Sequence, residues 1–155
     1  MSQEVPKLIL ICGLPGAGKT TLAKKLEAEL PGVRFCPDDW MQDLGISLWD
    51  AEFRGKLEER FWKLGQEILQ LGQTVILEYG FWGKSERDEK LQTARSLGVG
   101  VELHFLDVPN DELRQRLSKR GMEGDDIIPE KLDEYSEQFQ RPDGDELKLY
   151  DNHID

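Results

Sequence analysis

The run CGLPGAGKTTL, from Cys12 to Leu22, carries the residues with the clearest chemistry in this chain of 155 residues. It contains the pattern G-x-x-x-x-G-K-[ST], whose glycines allow backbone N–H groups to approach an anion closely. Lys19 would place a point charge on the β and γ oxygens of a nucleotide, and the Thr20 hydroxyl would ligate Mg²⁺. The predicted nucleotide-binding residues of this loop are Gly13, Leu14, Pro15, Gly16, Ala17, Gly18, Lys19, Thr20 and Thr21.

Acidic side chains follow two further apolar runs. Asp38 and Asp39 come after VRFC, and Glu78 follows TVIL. Because the carboxyl ends of parallel strands lie at one edge of a sheet, we expect these acids beside the glycine-rich loop. One carboxylate could take the proton of an acceptor hydroxyl, while Glu78 could hold the water ligands of Mg²⁺ or contact the acceptor. The alternatives are a turn role for Asp38 and a helix cap for Asp39.

Three arginines are candidates for binding phosphate or substrate. Arg116 and Arg120 lie four residues apart on one stripe of a predicted helix, where they could meet the charge that develops during phosphoryl transfer. The alternative for this pair is a solvated helix face. Arg87, in GKSERDE, could equally form a surface ion pair or contact a substrate.

The elements that must position these residues alternate along the chain. Short apolar runs indicate buried strands, and amphipathic stretches between them indicate helices, so we predict a parallel α/β sheet with helices on both faces. The predicted strands are Lys7–Cys12, Val33–Cys36, Thr74–Gly80 and Gly100–Val108, and the predicted helices are Lys19–Leu30, Asp50–Leu71, Lys84–Leu97 and Asn110–Arg120.

The last third of the chain is less regular. Gly121–Ile128 is rich in glycine and acids and predicts a mobile loop, so we expect a lid segment near 116–130. Pro129 would open a short helix, because proline is tolerated in a helix's first turn. The run ELKLYD, residues 146–151, is a candidate fifth strand.

Length and composition limit the kinds of function that this chain is expected to have. The length suits a single domain over residues 1–155, and a formal charge of −11 argues against nucleic-acid binding through a basic surface. No apolar run is long enough to span a bilayer, so we expect no membrane association and a cytoplasmic protein. The two histidines and two cysteines lack metal-ligand spacing, which argues against a zinc site.

Several other side chains could have either a structural or a functional role. Cys12 and Cys36 are expected to be buried apolar residues, with Cys12 the better candidate for a reactive thiol. His104 is expected in the core rather than as a base. The aromatic residues Trp40, Trp49, Phe81 and Trp82 either pack in the core or wall an acceptor pocket.

Four segments together resemble a small P-loop kinase of the AAA-33 or zeta-toxin/polynucleotide-kinase type. They are GLPGAGKTTLA, PDDW, VILEYGFW and LDVPNDELRQRLSKRG, and the resemblance they carry extends along nearly the whole chain. The resemblance implies a three-layer α/β/α P-loop NTPase fold with strand order 2-3-1-4-5, and it implies ATP or GTP with Mg²⁺.

The same resemblance suggests roles for individual residues. Asp38 matches the general base of polynucleotide-type kinases, Arg116 and Arg120 match lid arginines, and Glu78 stands where adenylate kinases have an aspartate. Met41 replaces an arginine that holds substrate phosphate in polynucleotide-type kinases, which counts against that substrate class.

The leading hypothesis is therefore a kinase that transfers the γ-phosphoryl group of ATP or GTP to a hydroxyl of a small molecule. Asp38 would be the base, and Lys19, Arg116 and Arg120 would stabilise the transferred charge. The alternatives are a 5′-hydroxyl nucleic-acid kinase and a nucleotide-dependent switch or ATPase that acts through a protein partner.

Overall fold

The computed structural model describes residues 5–121 and 131–154, with side chains for all of these except residues 120, 121 and 152–154. Five parallel strands form one sheet in the order β2-β3-β1-β4-β5, which confirms the order that the family resemblance implied. The strands are β1 (Lys7–Cys12), β2 (Gly32–Phe35), β3 (Thr74–Gly80), β4 (Gly100–Phe105) and β5 (Asn152–Ile154).

Helices connect the strands, as the alternating pattern predicts. They are α1 (Lys19–Glu29), α2 (Pro37–Asp43), α3 (Ala51–Gln70), α4 (Lys84–Ser96), α5 (Asn110–Gly121), α6 (Leu132–Gln138) and α7 (Gly144–Leu147). Helix α3 begins where the Asp50 carboxylate accepts a hydrogen bond from the Phe53 N–H, at 3.0 Å. It ends before Gly72, whose φ of 91° continues the chain in the left-handed region.

The core lies on both faces of the sheet. On β1, Leu8, Leu10 and Cys12 face one hydrophobic cluster, while Ile9 and Ile11 face a second cluster beneath α1. Five of the six residues of β1 are buried, because the central strand of a parallel sheet is covered on both faces. None of the helices among residues 5–121 and 131–154 is long and apolar enough to cross a membrane.

Three predictions about elements need correction. The fourth strand ends at Phe105 rather than Val108, and α2 was not predicted as a helix. ELKLYD does not form a strand: its first residues complete α7, and β5 follows at Asn152. The physical reason is a helical burial period, since Leu147 and Tyr150 are buried while Lys148 and Leu149 between them are exposed.

The predicted lid falls mainly outside the described residues. Helix α5 is longer than predicted by one residue, to Gly121, and α6 begins at Leu132. Pro129 and the loop before it lie in residues 122–130, which the structure does not describe.

Candidate functional site

The glycine-rich loop lies between β1 and α1, at the carboxyl edge of the sheet. Gly16 and Gly18 have φ angles of 84° and 97°, in the region that favours glycine, and Gly18 is the N-cap of α1. The N-cap glycine has no side chain that could accept from the first N–H groups of α1. Leu14 and Ala17 are buried beneath the loop, whereas Thr20 and Thr21 are exposed. This geometry fits an anion at the helix N-terminus.

Two cationic side chains lie on this loop. The Lys19 ammonium donates to the Leu14 carbonyl at 3.0 Å and so folds back across the loop. The Arg116 guanidinium, from α5, donates to the Gly16 carbonyl at 3.0 Å and to the Glu112 carboxylate at 2.6 Å. The structure therefore brings Arg116 to the loop, 100 residues away in sequence. Arg120 lies one helical turn further along α5; its side chain is not described, and its role stays a prediction.

A network of hydrogen bonds between charged and polar side chains links the loop to the neighbouring strands. The Thr20 hydroxyl donates to one oxygen of Glu78 at 2.7 Å, and the Arg34 guanidinium donates to the other at 2.8 Å. Arg34 also donates to Asp39 at 2.9 Å. Burial lowers the pKa of Arg34, but its hydrogen bonds to Glu78 and Asp39 outweigh that effect and raise the pKa above its ordinary value. Glu78 is thus a buried carboxylate aimed at Thr20, the side chain predicted to ligate Mg²⁺.

Asp38 and Asp39 occupy the first turn of α2, which begins with Pro37 after Cys36 as N-cap. The proposed turn and cap roles are therefore replaced by helical positions. Neighbouring helix residues point about 100° apart, and the two carboxylates diverge accordingly. Asp39 pairs with Arg34 on the Glu78 side, whereas Asp38 pairs with Arg54 of α3 at 2.7 Å. Both carboxylates are about half exposed, at 53% and 50%.

Glu58 is a site candidate that the sequence analysis missed. It lies one turn after Arg54 on α3, and its backbone carbonyl accepts a hydrogen bond from the Tyr79 hydroxyl at 3.1 Å. Burial, together with the nearby Glu86 and Asp38 carboxylates, raises the pKa of the Glu58 carboxyl to about 7, against the opposing charge of Arg54. Burial also raises the pKa of Tyr79. The sequence does not distinguish Glu58 from the other glutamates of this charged helix, because its burial depends on how α2, α3 and β3 pack together.

Aromatic side chains line the same region. Trp40 packs edge-on against Phe61, with ring centroids 5.1 Å apart, and Tyr79 stacks on Phe81 at 5.1 Å. Trp40 is 45% exposed and Trp49 is 56% exposed, so both present apolar surface to solvent. Phe81 belongs to the core instead, and Trp82 is half-buried.

Arg87 is not where either sequence interpretation placed it. Its side chain is 0% exposed and forms a two-bond ion pair with Glu146 at 2.7 and 3.0 Å. It also donates to the carbonyls of Phe81 and Gln140. Because the side chain is buried, both the predicted substrate contact and the predicted surface ion pair are wrong. Arg87 and Glu146 are 59 residues apart, so no local sequence pattern predicts their pairing.

The cysteines and His104 lie in the core, as expected. Burial raises the pKa of the Cys12 and Cys36 thiols to about 12 each, so both are protonated at neutral pH. His104 is buried beside Glu102, with Nε2 2.9 Å from a carboxylate oxygen. In the part of the chain that the structure describes, no group of three or more His, Cys, Asp or Glu could hold a metal ion.

Comparisons with known proteins identify a matching family and similar structures. A family model described as AAA domain, AAA_33, matches residues 8–142. A guanylate kinase of Desulfitobacterium hafniense (strain Y51) is 28% identical over 156 residues, covering 85% of this chain and 75% of the relative.

Two solved structures share the fold. A protein of Chloroflexus aurantiacus J-10-fl superposes with a TM-score of 0.76 at 22% identity, over 97% of this chain and 87% of its own. The APS kinase of Mycobacterium tuberculosis, solved in complex with AMPPNP and APS, superposes with a TM-score of 0.67 at 18% identity, over 97% of this chain and 88% of its own.

Proposed function

The chain belongs to the AAA_33 family, and from that premise we propose that it is a phosphotransferase that moves the γ-phosphoryl group of ATP or GTP to a hydroxyl of a small molecule. The observation that carries the proposal is the arrangement at the carboxyl edge of the sheet. Thr20 contacts Glu78 on the loop side of β3, and Asp38 lies on α2 in the neighbouring connection. Such a site has a donor position and, beside it, a base for an acceptor.

The donor side uses the loop and its cations. Backbone N–H groups of the loop after Gly13, whose own N–H is bonded to the Gly80 carbonyl, and the N-terminus of α1 would bind the phosphates. Lys19 would leave its Leu14 carbonyl contact for the β and γ oxygens, and Arg116, held above Gly16, would meet the charge that develops on the transferred group. Arg120 is proposed to assist from the same helix.

The residues near Thr20 fit a magnesium ion. A hydroxyl and a carboxylate are hard oxygen donors of the kind that Mg²⁺ takes, and Glu78 accepts from Thr20 at 2.7 Å. Thr20 would ligate the ion, and Glu78 would accept hydrogen bonds from its water ligands. Bound Mg²⁺ would neutralise charge on the β and γ phosphates. Arg34 fixes the orientation of Glu78.

On the acceptor side, Asp38 is the proposed base. Its carboxylate is half exposed and paired only with Arg54 among its described ion pairs, whereas Asp39 pairs with the Arg34 that holds Glu78. These contacts support Asp38 as the group that accepts a proton from the hydroxyl, with Asp39 positioning Arg34. Glu58 and the exposed face of Trp40 would border the acceptor.

A polynucleotide acceptor has less support. Met41, which stands in place of a phosphate-holding arginine by resemblance, is fully buried and offers no charge. The chain's formal charge of −11 also repels a polyanion. An oligonucleotide with a 5′-hydroxyl is therefore a useful test acceptor.

The test compares two adjacent aspartates. Labelled ATP and GTP are incubated with a panel of sugars, nucleosides, aminoglycosides and an oligonucleotide, and transfer to the best acceptor is then measured for Asp38→Asn and Asp39→Asn. General-base catalysis predicts that Asp38→Asn loses about 100-fold or more in kcat with little change in nucleotide affinity. Undiminished transfer by Asp38→Asn would remove Asp38 from the role, and transfer to none of the acceptors, with steady release of inorganic phosphate, would favour a switch or ATPase.

A further inference from the structure

The turn that follows β3 has an unusual backbone. Gly80 and Phe81 both adopt positive φ, at 87° and 51°. Phe81 is the only non-glycine residue with positive φ among residues 5–121 and 131–154, and its ring is 1% exposed. A bulky residue takes this conformation only where its surroundings hold it there.

This turn is bonded to the start of the phosphate loop. The Gly13 N–H donates to the Gly80 carbonyl at 3.0 Å, and the Trp82 indole N–H donates to the Gly13 carbonyl at 3.2 Å. The register between β1 and β3 shifts at the same point, between Leu10 and Cys12. Both backbone groups of Gly13, the first glycine of the phosphate motif, are therefore fixed by residues 80–82.

Arg87 holds the turn from its other side. Its guanidinium donates to the Phe81 carbonyl at 2.7 Å and to the Gln140 carbonyl at 2.6 Å, while Glu146 binds it through both carboxylate oxygens. The Gln140 N–H in turn donates to the Trp82 carbonyl at 2.8 Å. The arginine thus joins the turn to the chain between α6 and α7.

Apolar side chains could fill the space that the buried Arg87–Glu146 pair occupies. A buried ion pair contributes little to stability compared with apolar side chains of similar volume, because both charges lose their hydration. A guanidinium has donors in a rigid planar fork, which here reach a carboxylate and two carbonyls at once. Its distinctive contribution is the orientation of the Phe81 peptide.

We propose that Arg87 is a positioning residue for the phosphate loop: it holds the Gly80–Trp82 turn in its left-handed form, and the turn holds Gly13. The proposal rests on the proposed function in that the loop binds nucleotide phosphates. Because Arg87 is fully buried, the proposed action runs through Phe81 and Gly13 rather than through contact with a nucleotide or acceptor.

The experiment separates position from stability with a paired apolar replacement. Arg87→Met with Glu146→Met removes both charges together and keeps the volume, so no buried charge is left unpaired and the main loss is the donor to the Phe81 and Gln140 carbonyls. Arg87→Lys is the second variant, because a lysine cannot reach Glu146 and the Phe81 carbonyl with one planar group. The control is Arg95→Met, on the same helix, where an exposed guanidinium bonds Asp151 and the Leu149 carbonyl far from the loop.

Two readouts are used. The first is amide and indole hydrogen exchange by NMR at Gly13 and Trp82, with the amides of residues 103–105 in β4 as the internal reference, because the Val101 N–H is bonded by Asp151, the partner of Arg95. The second is the affinity for ATP. In the Arg87 variants we expect Gly13 and Trp82 to exchange at least about tenfold faster, β4 to be unchanged, and ATP to bind about tenfold more weakly, as loss of a charged hydrogen bond predicts. Arg95→Met should change none of these.

Wild-type exchange at Gly13 and Trp82 in a folded Arg87 variant would overturn the proposal, and so would equal acceleration in β4, which would indicate a general stability effect. The exchange readout needs no nucleotide. A wild-type protein that failed to transfer phosphate would therefore count against the proposed function and leave this comparison in force.

Discussion

The contact between Arg34 and Glu78 makes a prediction about stability that can be worked from its burial. The side chains of Arg34 and Glu78 are 8% and 5% exposed, so Arg34→Met would leave the Glu78 carboxylate buried with the Thr20 hydroxyl and the Cys36 thiol as its hydrogen-bond donors. Breaking a buried pair by removing one member costs about 3–5 kcal/mol. The surface end of the network, at Asp39, is half exposed and adds little. We therefore expect a loss of about 3 kcal/mol in the free energy of unfolding, or roughly 6–12 °C in Tm for a domain of this size.

The assay is urea denaturation of four proteins followed by tryptophan fluorescence. The matched control is Arg54→Met, which breaks the more exposed pair with Asp38, at 30% and 53% exposure, and should cost at most about 1 kcal/mol. The double variant Arg34→Met with Glu78→Gln should recover part of the loss, because it removes the buried unpaired charge. Equal losses for Arg34→Met and Arg54→Met would refute the reasoning, since burial is what distinguishes the two pairs.

Three further predictions address other parts of the site. Lys19→Ala should abolish measurable ATP and GTP binding by calorimetry while the far-UV spectrum and Tm stay unchanged; wild-type affinity would disprove the assignment of the loop. Glu58→Gln should gain about 1–2 kcal/mol over the wild type at pH 8, measured by denaturation at several pH values. The gain follows because a folded-state pKa raised to about 7 makes the wild type lose stability as pH rises from about 4.5 to 7; a pH-independent difference would contradict this sign. Cys12 and Cys36, with thiol pKa values near 12, should react with iodoacetamide at pH 8 only as fast as the protein unfolds, and rapid labelling of the folded protein would contradict their burial.

The sequence contains enough to predict the sheet and the loop. Apolar runs such as Lys7–Cys12 are buried on both faces, and the glycine pattern requires a strand before it and a helix after it, so the two signals support each other. ELKLYD misled because Leu147 and Leu149 alternate with polar residues, a strand period. The burial of Leu147 and Tyr150 follows the helical period instead.

The site itself was only partly predictable. Asp38, Glu78 and Arg116 were predicted as site residues because each lies at a sheet edge or on a helix stripe, where topology brings distant residues together, and their roles stay predictions. Arg34 was missed, although an arginine inside a four-residue strand needs a partner, and Glu78 on the neighbouring strand is that partner. The prediction for Arg87 was wrong because its partners lie on α7 and in the turn after β3. No spacing in the sequence predicts that these two segments pack against Arg87.

The central claim is that the γ-phosphoryl group goes to an acceptor hydroxyl. The most direct measurement is ³¹P NMR of the protein with Mg²⁺ and ATP, recorded with and without each member of the acceptor panel. The account predicts a phosphomonoester signal that grows in step with ADP and only when the right acceptor is present. ADP and inorganic phosphate formed at one rate whatever is added, with no ester, would contradict it.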